Sequence, residues 1–273
     1  MLVQLTDLHI REPGRLAYRR LDTAPYLRQA VETVLRLRQR PDAVVITGDL
    51  TDFGRPAEYE HLARLIAPLT MPVYLLPGNH DDRAQLRRAF PTHDYLGTDG
   101  YLQYAVGVGG LRLVALDTCE HGKPYGRLCE ERLDWLARTL DAHRDEPVVI
   151  AMHHPPFQSL IGHMDDQALL HGAEALERIV AAHPNVERIL CGHVHRAIEV
   201  RFGGTIACSA PTAAHQVALD LDPQAPSQWV LEPPAFRVLA LDASGRRVVS
   251  HLAASGEFEG PYPFYDAQGH LID

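Results

Sequence analysis

Six short apolar runs, set between amphipathic stretches, constrain this chain more than any other feature. They read "MLVQLTDLHI", "AVVITGD", "VYLLPGNHD", "LRLVALD", "PVVIAMHH" and "RILCGHVH". Compact runs of β-branched and aliphatic residues that end on glycine or proline are typical of strands buried on both faces. Helical patterns lie between most of them, at residues 23–40, 57–67, 130–143 and 172–183. In the first of these Thr23 stands as an N-cap, Pro25 falls in the first turn, and Leu27, Val31, Val34 and Leu35 recur at helical spacing. The alternation predicts an α/β architecture with buried strands.

The ends of the runs carry the chemistry. Asp7 and His9 follow the first, Asp49 follows Gly48, Asn79 and His80 follow Gly78, His153 and His154 close the fifth, and His193 and His195 follow Gly192. Strand carboxyl ends line the binding crevice of open α/β sheets, so these side chains can converge. In an extended segment the side-chain period is two, which puts His193 and His195 on the same side of the backbone. Two aspartates, an asparagine and four histidines (Asp7, His9, Asp49, Asn79, His153, His193, His195) form a mixed oxygen and nitrogen donor set. Such a set suits zinc, manganese or iron better than calcium or magnesium. It exceeds one tetrahedral site and fits two ions about 3.5–4 Å apart sharing a carboxylate, the arrangement that clamps both oxygens of a phosphoryl displacement.

Composition narrows the partners. The chain has 273 residues and a formal net charge of −9, with Lys123 the only lysine. No basic stripe is available for a nucleic-acid polymer, and no apolar run approaches the roughly 20 residues of a membrane span. The first residues enter a strand directly, with no basic segment and apolar stretch of a cleaved signal before them. Cys119, Cys129, Cys191 and Cys208 form no C-x-x-C pair, so the expectation is a cytoplasmic protein with free thiols acting on a small substrate.

The motifs D-L-H, G-D-x-x-D, G-N-H-D, H-H-P-P and G-H-V-H, spread over residues 7–195, resemble those of calcineurin-like metallophosphoesterases. "PGNHDD", "MHHPP" and the chain length look most similar to the bacterial glycerophosphodiesterase and class III cyclic-nucleotide phosphodiesterase branch. The resemblance implies a four-layer α-β-β-α sandwich. Residues 1–215 would form the catalytic core, and 216–273 a hairpin and tail completing the sandwich and serving as a cap or oligomer contact. It implies two divalent transition-metal ions (iron, manganese, zinc or cobalt), one held by Asp7, His9, Asp49 and His195, the other by Asp49, Asn79, His153 and His193. His80 would then be catalytic and stand beside the phosphate with Asn79, His154, Asp52 and Asp81 would be supports, and His215 would approach the substrate. The other nine histidines, His163 among them, have no such context.

Phosphatases of this superfamily carry an arginine in the G-D-x-x-D-R-G segment to hold a dianionic monoester, whereas this chain reads "GDLTDFG" with Phe53 at that position. A diester bears one negative charge and a second arm. The expectation is therefore hydrolysis of small phosphodiesters, glycerophosphodiesters or cyclic nucleotides, by a homo-oligomer without membrane or nucleic-acid partners. A monoesterase, a nuclease or a non-catalytic scaffold on the same fold are the alternatives.

Overall fold

In the computed structural model, which describes residues 1–273, the apolar runs become strands covered on both faces. The first part of the chain gives β1 (Leu2–Leu5), α1 (Ala24–Leu35), β2 (Ala43–Thr47), α2 (Pro56–Ile66), β3 (Val73–Leu76), α3 (Arg83–Ala89), β4 (Tyr104–Val108) and β5 (Leu111–Leu116). Next come β6 (Gly126–Arg127), α4 (Glu130–Ala142), β7 (Val148–Met152), α5 (Gly162–Asp165), β8 (Leu169–His171), α6 (Ala173–Ala181) and β9 (Val186–Cys191). The last part adds β10 (Glu199–Phe202), β11 (Thr205–Ser209), β12 (Gln216–Val217), β13 (Trp229–Val230), β14 (Ala235–Leu241) and β15 (Val248–Ala254).

Two large sheets result, in the orders β15-β14-β1-β2-β3 and β10-β11-β9-β7-β5-β4. Each has a parallel centre, β1-β2-β3 in one and β5-β7-β9-β11 in the other, flanked by antiparallel strands. Register aligns the strand ends: Leu5 lies beside Ile46 and Thr47 beside Leu76, so the loops leaving β1, β2 and β3 emerge together.

The period-two alternation of each strand builds the layers. Val3, Leu5, Val44 and Ile46 pack under Leu27, Val31, Leu62 and Leu86 of the first three helices. Their neighbours Leu2, Ala43, Val45 and Leu76 face Leu113, Ala115, Val149, Ala151 and Leu190 of the second sheet. On the far side Val114, Leu116, Ile150, Met152 and Ile189 are covered by Leu136, Leu140, Leu176 and Val180 of α4 and α6. Helix, sheet, sheet, helix: this is the four-layer α-β-β-α sandwich expected from the sequence. Each large aliphatic side chain buried in it contributes about 1.5–3 kcal/mol. No helix is long and apolar enough to cross a membrane.

Two local features differ from a plain reading of the sequence. Thr23 precedes α1 but makes no capping bond, because its hydroxyl donates to the main-chain oxygen of His9 at 2.9 Å and ties the helix to the loop after β1. The stretch "LDPQAPSQWVLEPP", whose prolines suggest an irregular excursion, contains β13, which pairs with β12. The hairpin of β14 and β15 adds to the first sheet beside β1. Beyond it the tail leaves Phe258, Tyr262 and Phe264 exposed.

Candidate metal and substrate site

The loops leaving β1, β2, β3, β7 and β9 bring all seven candidate donors to one place. Five of them, Asp7, His9, Asp49, His193 and His195, hold positive φ angles of 51°, 44°, 46°, 70° and 49°. Left-handed backbone in non-glycine residues persists only where the surroundings over-determine it, and it gathers at functional sites. Adjacent glycines permit the crowding. Gly48 turns at φ 90°, and a Cβ at Gly192 would collide with Thr6 Oγ1, the Thr47 carbonyl and the Asp7 carboxylate.

Hydrogen bonds on the outer side of three of the four imidazoles set which nitrogen turns inward. His9 Nδ1 donates to Asp52 Oδ1 at 3.2 Å, His195 Nδ1 to the main-chain oxygen of His215 at 3.2 Å, and His153 Nδ1 to that of Thr47 at 2.8 Å. A carbonyl or carboxylate oxygen only accepts, so Nδ1 carries a proton and Nε2 is the nitrogen turned inward. The consequence is a concentration of electron pairs. His9 Nε2 lies 3.3 Å from His195 Nε2 and 3.6 Å from Asp49 Oδ2, while His195 Nε2 is 3.4 Å from Asp7 Oδ1. His153 Nε2 lies 3.4 Å from Asp49 Oδ1 and 3.1 Å from Asn79 Oδ1. His193 Nε2 is buried without any hydrogen-bond partner.

Four tetrahedral donors at about 2.1 Å from an ion are about 3.4 Å from one another. The spacings above match that edge length, and Asp49 offers one oxygen to each group. The spacings therefore fit two divalent cations on either side of Asp49, with Asp7, His9 and His195 on one side and Asn79 and His153 on the other, and His193, whose buried Nε2 has no partner, clusters with His153. Asp7 is fixed by the main-chain N–H of His193, 2.9 and 3.0 Å from its two oxygens, and by the Thr6 hydroxyl at 2.6 Å.

The charges of the site follow from crowding. Burial pushes the Asp49 carboxyl up, but the imidazoles of His153 and His80 outweigh it and hold the group well below the usual carboxylate range. Burial pulls His153 down, yet the Asp49 charge dominates and the ring is pushed up to about 9. Burial wins at His193, which falls to about 3 beside the His153 charge, and at His9, which is also lowered.

His80 differs from the seven. Its Nδ1 donates to the Asp52 main-chain oxygen at 2.8 Å, and its Nε2 stands 4.0 Å from Asp49 Oδ2 on a side chain 36 % exposed. Burial lowers its pKa, but the Asp49 carboxylate and the Asp52 carbonyl raise it overall, favouring a ring that can give up a proton. His154 has both nitrogens committed, Nε2 donating to the Pro124 oxygen at 3.1 Å and Nδ1 accepting from the Thr118 hydroxyl at 2.8 Å. Asp81 accepts main-chain N–H bonds from Leu50, Thr51 and Gly78 at 3.0, 3.2 and 2.9 Å, tying the loop after β2 to that after β3. Burial and then the Asp49 charge raise its pKa to about 6.

A cleft of about 320 Å³ opens over the donors. His215 lines it, with Nε2 3.1 Å from the Tyr18 hydroxyl, and burial together with His195 and His9 keeps the ring neutral far below its usual range. Sequence reasoning missed the rest of the wall: Tyr18, Trp229 and Gln228 from distant loops, and Met164 and Gln167 around α5. His163 also lines the cleft, which corrects its dismissal as a histidine without context. Tyr18 and Trp229 lie with ring centroids 5.7 Å apart, and each packs against His215. No motif marks these residues; only packing of the loops on one another reveals them.

Comparison with known proteins identifies the family of the chain. A family model described as calcineurin-like phosphoesterase matches residues 1–197. The chain is 37 % identical over 273 residues, covering 100 % of both chains, to a probable glycerophosphodiester phosphodiesterase of Arcobacter nitrofigilis. It is 31 % identical over 248 residues, 90 % of this chain and 87 % of the other, to a 3',5'-cyclic adenosine monophosphate phosphodiesterase of Pseudomonas aeruginosa. Among solved structures a dimetal phosphatase of Danio rerio shares the fold, with a TM-score of 0.62 at 17 % identity, over 91 % of this chain and 97 % of that one.

Proposed function

Since the chain belongs to the calcineurin-like phosphoesterase family, we propose that it is a phosphodiesterase that hydrolyses small diesters with two divalent transition-metal ions. The observation that carries the reading is the convergence of imidazole Nε2 atoms with carboxylate and amide oxygens at 3.1–3.6 Å around Asp49. Asp7, His9, Asp49 and His195 would hold one ion, and Asp49, Asn79, His153 and His193 the other. Mixed nitrogen and oxygen donors favour iron, manganese, zinc or cobalt. Such a pair, when bound, supplies an activated water and neutralises the phosphate.

The remaining steps fall to the chain's own groups. His80, with Nδ1 locked to Asp52, presents Nε2 to the cleft and delivers a proton to the departing oxygen. His215, held neutral and bonded to Tyr18, orients the phosphate or the group leaving with it. Met164, Val217 and Trp229 offer apolar surface to the second arm.

Charge favours the diester. No arginine or lysine lines the cleft, so a dianionic monoester would find no cationic clamp beyond the metals and the His80 imidazole. Nearby cations are already engaged: Arg11 and Arg55 stack on Phe53 at 4.5 and 4.9 Å and pair with Asp52 and Glu12. Glycerophosphodiesters and 3',5'-cyclic nucleotides, the substrates in the names of the relatives above, are the candidate diesters. The same reading takes the exposed aromatic tail, with Phe264 79 % exposed, as a contact between copies, and the four free cysteines as suited to the reducing cytoplasm.

Bis(p-nitrophenyl) phosphate and p-nitrophenyl phosphate share a leaving group and isolate charge and the second arm. The enzyme is expected to hydrolyse the diester with the higher kcat/KM, and a preference for the monoester would overturn the assignment.

A further inference from the structure

Arg11 lies outside the cleft and touches none of the seven donors, yet it sits at the head of a chain of contacts that ends on two site histidines. Its Nη1 is 3.1 Å from Asp52 Oδ2, and the other Asp52 oxygen accepts from His9 Nδ1 at 3.2 Å. The main-chain oxygen of the same aspartate accepts from His80 Nδ1 at 2.8 Å. On its other side Arg11 Nε lies 3.0 Å from Glu58 Oε1, off the angle of a hydrogen bond, so charge holds that pair. Glu58 is fully buried, and its second oxygen accepts the N–H groups of Phe53 and Arg55 at 3.0 and 3.1 Å.

We propose that Arg11 is a positioning residue for both His9 and His80, acting through Asp52 and anchored by Glu58 of α2. The inference rests on the assignment of His9 to a metal ion. A guanidinium suits the position because it spans two carboxylates on separate elements at once, donating from Nη1 to Asp52 while Nε lies against the Glu58 charge, a reach a compact ammonium does not have. The carboxylate behind a ligating histidine fixes its ring orientation and raises its basicity, and losing such a partner typically costs about 10- to 100-fold in metal affinity or activity. Without Arg11, the outer oxygen of Asp52 loses its ion pair and the carboxylate is free to turn from His9. The Asp52–Phe53 peptide, whose carbonyl meets His80, is held by Glu58 through the Phe53 N–H, so losing the Arg11–Glu58 pair loosens that contact as well. One substitution remote from the cleft should therefore weaken an ion and impair the proton donor together.

The test uses the metal-stripped full chain titrated with cobalt(II), whose visible absorbance reports coordination independently of turnover, with a competing chelator to fix the dissociation constants. Arg11→Gln is expected to weaken the tighter of two sites by roughly 10-fold or more and to lower kcat more than it raises KM. Arg11→Lys should recover part of the affinity, and Glu58→Gln should lose less than Arg11→Gln. Arg11→Gln combined with Asp52→Asn should bind cobalt no more weakly than Asp52→Asn alone, because residues acting in series are not additive. Additive losses, or unchanged affinity in Arg11→Gln, would overturn the proposal. If Arg11→Gln does not fold, unchanged cobalt affinity in both Arg11→Lys and Glu58→Gln does the same. Failure of the parent protein to bind two cobalt ions would instead sink the metal assignment itself.

Discussion

Replacing His80 with alanine separates a proton donor from a ligand. The side chain is 36 % exposed and makes one hydrogen bond, to Asp52 O, so its loss costs about 1 kcal/mol of stability and lowers Tm by roughly 2–4 °C. None of the close donor contacts of 3.1–3.6 Å involves its ring, so two ions should remain bound. The effect on rate depends on what departs. A nitrophenolate leaves without a proton, whereas a glycerol or ribose alkoxide needs one. General-acid help is worth about 10²- to 10⁴-fold, or roughly 2.7–5.5 kcal/mol of barrier, only in the second case. His80→Ala is therefore expected to lose less than about 10-fold on bis(p-nitrophenyl) phosphate and at least about 100-fold on a glycerophosphodiester. The assay is kcat/KM for both substrates over a pH series, with metal content measured on the same samples. Equal losses on the two substrates would refute the reasoning and leave His80 as a phosphate-binding group. Loss of a metal ion would make it a ligand.

Four further outcomes follow from the same geometry. Asp49→Ala should release both ions and reduce turnover by about 10³-fold or more, the loss of several kcal/mol of metal assistance; retention of two ions per chain by metal analysis would contradict the bridge. Asn79→Ala removes a neutral, weak donor, so its activity should fall but return at high manganese, and a titration that shows no recovery would give Asn79 another role. Trp229→Ala should raise KM for diesters several-fold with kcat and metal content little changed, and an unaltered KM would remove Trp229 from the binding wall. His153, pushed up to about 9 by Asp49, must lose its proton before it can ligate. Metal affinity should therefore rise with pH toward 9, and calorimetry in buffers of different ionisation enthalpy should detect about one proton released near pH 7.5.

The convergence of the seven candidate donors was legible in the sequence because each follows an apolar run, and parallel register carries run ends to a common edge. The layers were legible for a similar reason, since Val3 and Leu2, or Ile46 and Val45, alternate between two different cores. What stayed hidden depends on contacts between loops. Gly162 packs against the main-chain oxygen of Pro223 closely enough that a Cβ would stand 2.8 Å from it. That contact helps seat the segment carrying His163 and Gln167 opposite the one carrying Trp229. Neither segment has a periodic pattern or a motif. Arg11 was invisible for another reason: it gains a role only once α2 brings Glu58 beside it. The glycines next to the donors were evident, but the positive φ of Asp7, His9, Asp49, His193 and His195 was not, because Asp and His, though enriched in left-handed backbone, adopt it at only a small minority of their positions.

Stepwise addition of manganese to the metal-stripped enzyme, with bound metal and hydrolysis of bis(p-nitrophenyl) phosphate followed together, distinguishes a two-ion centre from any other. Two ions per chain are expected at saturation, with full activity reached only as the second site fills. Full activity at one ion per chain, or unchanged hydrolysis by the metal-free protein, would contradict it.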